Sequence, residues 1–111
     1  MAVRIVGQGT ITPAILNTAE TLVVIPSSGI YVLSIDTTNL ASTETVEGWF
    51  EGKVISTGTE KERAYSTIDG VTARPKVRQV GPISLPFGGT AKLNQVDGTL
   101  RAFEWCVEQV G

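Results

Sequence analysis

Residues 91–110, AKLNQVDGTLRAFEWCVEQV, carry the strongest structural signal in the chain. In the second half of this stretch, Phe103, Trp105 and Val107 alternate with small or charged residues. Successive side chains of a β-strand point to opposite faces, so the aromatic row is predicted to face a core and the carboxylates to face water. We therefore predict a strand over residues 99–110, preceded by another strand over residues 91–96.

The Asp-Gly pair at positions 97–98 predicts a turn that joins these two strands into a hairpin. A two-residue loop would place Lys92 opposite Phe103, which mixes the polar and apolar faces. A three-residue loop that begins one residue earlier places Ala91 opposite Phe103 and keeps both apolar rows on one face. We therefore predict a type I turn with Gly98 in the left-handed region as a bulge, because glycine has no Cβ to clash there.

A second pair of strands is predicted nearer the N-terminus. Residues 22–25 and 30–36 are apolar at almost every position, which is typical of strands that are covered on both faces. The turn sequence PSSG lies between them and predicts another hairpin. Its second strand should direct Tyr31, Leu33 and Ile35 toward the main core.

The remaining strands are short and are separated by turn residues. We predict strands over 46–55, 62–68 and 80–85, and an exposed basic loop over 71–79. Val, Ile and Thr make up 36 of the 111 residues, a composition that favours β structure. Seven or eight short strands, spaced roughly ten residues apart, predict an all-β fold. The arrangement most consistent with this spacing is an antiparallel β-sandwich of the jelly-roll type.

The length of 111 residues suits one domain. We assign residues 21–111 to a single β-sandwich domain. Residues 1–20 form either its first strand or an extended N-terminal arm that packs on a neighbouring subunit. In both cases the apolar side chains of Val3, Ile5 and Val6 need a partner surface, which makes them candidates for an interface.

Composition argues against most catalytic and metal chemistry. The chain has no histidine, which is the commonest general base and the commonest metal ligand. Its single cysteine, Cys106, cannot form an internal disulfide or a thiolate cluster. We therefore expect no enzymatic activity, no cofactor and no metal ion.

The charge pattern also limits the partners that we expect. The formal net charge is −2 with both signs interspersed, so we expect no nucleic acid or membrane as partner. The longest apolar run, residues 22–25, is far too short to span a bilayer. No basic and apolar leader opens the sequence, and we expect that the protein is not secreted.

Two other features are candidates for contact with a partner. Trp49 has the same strand parity as a row of charged residues, which indicates a protein interface, a sugar-stacking platform, or burial under a loop of its own domain. Arg74, Lys76 and Arg78 give the loop around Pro75 three cations, which could form salt bridges with an acidic neighbour or remain solvated.

Three stretches together resemble a known group of proteins. They are TLVVIPSSGIYVLSIDTTNL (21–40), VEGWFEGKV (46–54) and GGTAKLNQVDGTLRAFEWCVEQV (88–110). In this order they resemble small β-sandwich proteins encoded in the structural gene clusters of tailed phages, of the kind that act as capsid decoration (cement) proteins. The resemblance implies a fold and an assembly role, and no functional residue is carried over.

The resemblance implies a non-enzymatic virion protein that binds the major capsid protein or other virion subunits. It further implies a homo-oligomer, expected to be a trimer, made in the host cytoplasm and located on the capsid surface. Two alternatives remain open from the sequence. One is a carbohydrate-binding β-sandwich module that uses Trp49 and Tyr65, and the other is a tail or head–tail accessory subunit.

Overall fold

The computed structural model describes residues 3–70 and 76–111, which form eight antiparallel strands and no helix. The strands lie in two four-stranded sheets, with the orders β1-β8-β3-β6 and β2-β7-β4-β5, which we call sheet A and sheet B. In chain order the strands are β1 (Arg4–Ile11), β2 (Glu20–Ile25), β3 (Gly29–Asp36), β4 (Thr45–Gly52), β5 (Lys61–Asp69), β6 (Val77–Leu85), β7 (Gly89–Gln95) and β8 (Phe103–Gln109).

The strand order is that of a jelly roll. The antiparallel pairs β1–β8, β2–β7, β3–β6 and β4–β5 correspond to one long ribbon folded back at the loop between β4 and β5. The ribbon then winds so that β3 also pairs with β8 and β4 with β7, which completes the two sheets. The predicted all-β antiparallel sandwich is confirmed, and eight strands with this order define the jelly-roll arrangement.

Both predicted hairpins are wrong. β2 lies in sheet B and β3 in sheet A, and likewise β7 lies in sheet B and β8 in sheet A. Ala91 pairs with Phe50 and Val23 instead of Phe103, which pairs with Ile11. The physical reason is that an inward apolar row fixes which face of a strand is buried but not which strand lies beside it. Two such rows can face each other across the core as well as lie side by side.

The predicted direction of the apolar rows is confirmed. Phe103 and Val107 of β8 are fully buried, and Trp105 between them is partly buried and packs against the core. The row on β3 is also fully buried. The core between the sheets further contains side chains from the other strands and from one loop, among them Ile25, Leu40, Val46, Phe50, Ile68, Val80, Leu85, Ala91 and Leu93.

The chain crosses from β7 to β8 through residues 96–102, and polar side chains hold this crossing. Gly98 has a φ of 84°, which confirms the left-handed conformation predicted for it. The buried Glu44 carboxylate accepts hydrogen bonds from the backbone N–H of Thr99 at 2.8 Å and that of Ala41 at 2.8 Å. It also accepts two from the Arg101 guanidinium, at 2.9 and 3.0 Å. The crossing is therefore tied to the loop that precedes β4.

This cluster predicts a specific loss of stability in acid. Hydrogen bonds from Arg101 and from the backbone N–H groups of Ala41 and Thr99 lower the pKa of Glu44 from 4.5 to about 2. The folded state therefore binds this proton less readily than the unfolded state does. The ionised Glu44 carboxylate thus stabilises the fold above pH 4.5, and this stabilisation is lost as the pH falls toward 2. In denaturant titrations from pH 7 to pH 2, we expect Glu44→Gln to be less stable than the wild type at pH 7.

The difference between the two proteins should shrink steadily below pH 4.5. Thr43→Val, at the exposed neighbouring position, serves as the control and should follow the wild type at every pH. A difference between Glu44→Gln and the wild type that stayed constant down to pH 2 would contradict the lowered pKa.

Strand β6 begins earlier than the sequence predicts. Residues 77–79 belong to β6, where they pair with the end of β3, so the exposed loop predicted over these residues is wrong. β6 is an edge strand, so the N–H that Pro82 lacks does not interrupt the hydrogen bonding inside the sheet. Residues 71–75, the rest of that predicted loop, lie outside the described residues.

Candidate interaction surfaces

The N-terminal strand β1 forms one edge of sheet A, pairing with β8 on one side only. Val3 and Ile5 are 59% and 56% exposed, and Ile5 lies opposite Glu108 on the outer face. Val6 sits at a bulge between the two neighbouring pairs and packs against the core. Of the three interface candidates in this segment, Val3 and Ile5 are therefore available to a partner, whereas Val6 packs mainly against the core of its own domain.

The edge formed by β1 is less protected against pairing with another strand than the edges formed by β5 and β6 on the opposite side of the sandwich. An edge strand presents unpaired N–H and C=O groups, and proteins commonly block such pairing with lysine, proline or charge. β5 begins with the sequence KER at 61–63, and β6 contains Pro82. β1 contains neither lysine nor proline, and its one charged residue, Arg4, donates a hydrogen bond to Gln109 at 2.5 Å.

Trp49 lies on the outer face of sheet B, among the charged neighbours that its parity predicts. It is nevertheless only 6% exposed, because the ring of Tyr65 lies against it with 5.7 Å between the centroids and a 30° tilt. The indole Nε1 donates to Glu51 at 3.0 Å, and Glu51 also pairs with Lys92 at 3.4 Å. Neighbours on its own sheet therefore accept the hydrogen bond of the Trp49 indole and cover its ring, which leaves little of the ring surface for a partner.

Tyr65 is the aromatic side chain that this face exposes, at 48%. A hydrogen bond with Glu47, together with burial, raises the pKa of the Tyr65 phenol. Glu47 also accepts a hydrogen bond from the Asn94 amide at 3.1 Å, so its carboxylate links two neighbouring strands. Tyr65 is therefore the more exposed ring of the Trp49–Tyr65 pair.

Two of the three predicted cations, Lys76 and Arg78, lie within the described residues. Lys76 is exposed just before β6, and its backbone carbonyl accepts hydrogen bonds from the Thr37 N–H and hydroxyl at 2.8 and 2.5 Å. Arg78 lies within β6 opposite Ile35 and is partly buried. Arg74 lies outside the described residues. Hydrogen bonds from Thr37 and strand pairing with β3 therefore hold Lys76 and Arg78 at the end of β3, where the sequence predicts a free loop.

A shallow depression of about 290 Å³ lies at the end of sheet A near the β3–β4 loop. Asp36 and Glu104 contribute its carboxylates. The Thr38 hydroxyl and N–H donate to Asp36 at 2.6 and 2.9 Å, and these hydrogen bonds lower the pKa of Asp36. Asp36 is therefore ionised at neutral pH and is not poised to donate a proton, as a glycosidase acid must.

Cys106 lies on the outer face of sheet A, opposite Gln8 and Ser34. Burial and the nearby Glu108 carboxylate raise the pKa of the thiol, which keeps it protonated and weakly nucleophilic. Over residues 3–70 and 76–111, no three histidine, cysteine or acidic side chains are grouped as a metal ion would need. The same residues contain no helix long and apolar enough to cross a membrane.

Sequence reasoning missed one surface. Val24, Val54, Ile55 and Phe87 are large apolar residues that the structure leaves exposed at one end of the sandwich. Three of them lie in turn segments, after β4 or between β6 and β7, where polar residues are more usual. The strand predicted over 46–55 ends at Gly52, so that prediction is wrong for Val54 and Ile55. Phe87, an apolar residue between Pro86 and Gly88, was the signal that could have identified these exposed residues.

No protein-family model, curated protein or solved structure matches this chain.

Proposed function

We propose that this chain is a non-enzymatic virion structural protein, a capsid decoration (cement) protein that binds the phage head shell through protein–protein contacts. The observation that carries the proposal is the open edge of β1, with the exposed apolar side chains of Ile5 in the strand and of Val3 just before it. Beyond the bulge at Val6, the open edge of β1 can pair with an extended segment of another protein, while the apolar side chains add buried area.

The jelly-roll arrangement supports this proposal at the level of fold. Jelly rolls occur in viral capsid proteins, and they also occur in lectins and cupins, so the fold alone does not decide among these functions. A protein that binds only the assembled shell stabilises that shell by mass action. The proposed partners are the major capsid protein or other virion subunits, with this chain as a homo-oligomer on the capsid surface.

Binding to isolated heads tests the proposal. We expect the wild-type chain to co-sediment with purified phage heads that lack it, and Ile5→Asp to bind at least tenfold more weakly, a loss of about 1.4 kcal/mol. The reason is that a carboxylate at this position would lose its hydration in the contact. Val77→Asp is the matched control, because Val77 is 51% exposed on β6 at the opposite edge of sheet A.

A point substitution is a cleaner test than removing the segment, because β1 pairs with β8 from Arg4 to Ile11. The proposal fails if the wild-type chain does not sediment with heads, or if Ile5→Asp binds as the wild type does. Sedimentation with purified tails instead would support the tail-accessory alternative. Glycan binding that Tyr65→Ala abolishes would support a carbohydrate-binding module, with Tyr65 rather than Trp49 as the platform.

A further inference from the structure

The open edge of β1 is regular from Gly7 to Ile11, after the bulge at Val6. Over these residues β1 pairs with β8 without a register shift, and no strand lies on its other side. The segment Gly7–Ile11 contains no charged residue and no proline. An uncovered edge of this kind is a template for pairing with another extended chain. Such an edge therefore favours a partner strand even when no shell is present.

The inner face of this segment carries small residues at one end and a large residue at the other. Gly7, Gly9 and Ile11 lie on this face, because Ile11 is opposite the buried Phe103 and alternate residues of a strand share a face. The Trp105 indole lies beside both glycines. A Cβ built on Gly7 would lie 3.3 Å from its Cη2, and one built on Gly9 would lie 3.6 Å from its Nε1. The inner row is therefore two glycines backed by an aromatic ring, followed by an isoleucine.

A second copy of the segment, antiparallel to the first and related to it by a twofold axis at Gly9, complements this row. Gly7 then faces Ile11 of the second copy at both ends of the pair, so the large side chain meets the position that has none. On the outer face Gln8 faces Thr10 of the second copy, and these two uncharged polar side chains can form a hydrogen bond. The segment is therefore self-complementary in the sense that a twofold contact requires.

The other axis positions fit less well. A twofold axis normal to the sheet keeps each face on its own side, so the axis must pass through a residue. An axis at Gln8 would place Gly7 opposite Gly9 and leave both positions without a side chain. An axis at Thr10 would place Gly7 opposite Pro13, which has no N–H to donate. The axis at Gly9 pairs all of the regular segment with itself.

No like charges meet across this pair. Arg4 is the one charged residue of β1, and it lies before the bulge. The outward carboxylates of the next strand are Glu104 and Glu108, and each would lie at least three strand spacings, about 14 Å, from those of the second copy. This distance exceeds the screening length of about 8–10 Å. The neighbouring edge strand β2 carries only Glu20, whose carboxylate accepts the N–H of Ala14 at 3.1 Å.

We infer that two free copies of this chain pair their β1 edges about a twofold axis at Gly9, which joins the two A sheets into one eight-stranded sheet. The contact is small, and contacts at the low end of the size range are transient. We therefore expect a dimer that dissociates on dilution. The pairing does not rest on the proposed function. A shell segment bound to β1 uses the same edge, so the pair opens when the chain binds a head.

Cysteine cross-linking tests the pairing and its register. The variants carry Cys106→Ser, so that the native thiol does not contribute. Gly9→Cys places a thiol on the axis, where opposite Cα atoms are about 4.5–5.5 Å apart and within reach of a disulfide. Under mild oxidation we expect a dimer of twice 11.8 kDa on a non-reducing gel. Val77→Cys is the matched control, because Val77 is 51% exposed on the opposite edge of sheet A and should stay monomeric.

A second set of variants covers the case in which a thiol at Gly9 disturbs Trp105. Gln8→Cys combined with Thr10→Cys should cross-link, because the two positions face each other across the axis. Each single substitution leaves the two thiols diagonally opposed, with Cα atoms about 7–8 Å apart, and should cross-link at least tenfold more slowly. Circular dichroism checks that every variant folds as the wild type does.

Sedimentation equilibrium of the purified wild-type chain completes the test, and its mass should rise from 11.8 kDa toward twice that value with concentration. A chain that stays a monomer at all concentrations, or that forms a trimer, would overturn the inference. So would equal cross-linking at Gly9 and Val77, or single variants that cross-link as fast as the double variant. Sedimentation with heads tests the proposed function separately, so either idea can fail while the other stands.

Discussion

Phe103→Ala is expected to lower the free energy of unfolding by about 3–5 kcal/mol, a large share of the 5–15 kcal/mol that typically stabilises a domain. Phe103 is fully buried at the start of β8 and belongs to the core cluster that fills the space between the sheets. Truncation removes the apolar contacts of the ring and leaves a cavity that the surrounding strands can only partly close. Chemical denaturation monitored by tryptophan fluorescence measures the effect.

Glu104→Ala provides the control for this experiment. Glu104 is the next residue on β8 and points to the outer face, where it is exposed. Its removal should change the free energy of unfolding by less than about 0.5 kcal/mol. If the two substitutions cost the same, the assignment of Phe103 to the inside of the sandwich would be wrong.

Gly88→Ala is expected to have a comparable effect, about 3 kcal/mol or more, for a different reason. Gly88 has a φ of 72°, in the left-handed region that costs other residues roughly 1–2 kcal/mol. A Cβ at this position would also lie 2.2 Å from the carbonyl oxygen of Ile25. Alanine therefore requires the end of β2 and the start of β7 to separate. Thermal unfolding would report the loss as a lower midpoint temperature.

Gly9→Ala is the matched control on β1. Its added Cβ would lie 3.6 Å from the indole Nε1 of Trp105, which is ordinary van der Waals contact, and its φ is not positive. Alanine also reduces the conformational freedom of the unfolded chain. The midpoint should therefore stay the same or rise slightly. A similar loss in both variants would show that glycine at Gly88 is not required by the local backbone.

The sequence alone determined which faces of β3 and β8 point to the core, but the coverage of both faces that it predicts for residues 22–25 is wrong, because Val24 is 65% exposed. The alternation around Phe103, Trp105 and Val107, and the row on β3, identified inward faces correctly, because the two-residue period of a strand is a local property of the backbone. The number of strands followed from turn residues between apolar segments, and the left-handed Gly98 followed from the Asp-Gly pair. Each of these conclusions depends on residues that are close in sequence.

Only the tertiary structure decided which strands are neighbours. The segments on either side of Pro26–Gly29 and of Asp97–Gly98 are adjacent in sequence, yet each pair is divided between the two sheets. Pairing in a jelly roll joins strands far apart in the chain, such as β1 with β8, and no local pattern encodes that partner. The same long-range packing buries Trp49 under Tyr65 and leaves Val54, Ile55 and Phe87 exposed, because burial depends on what the rest of the chain places against a residue.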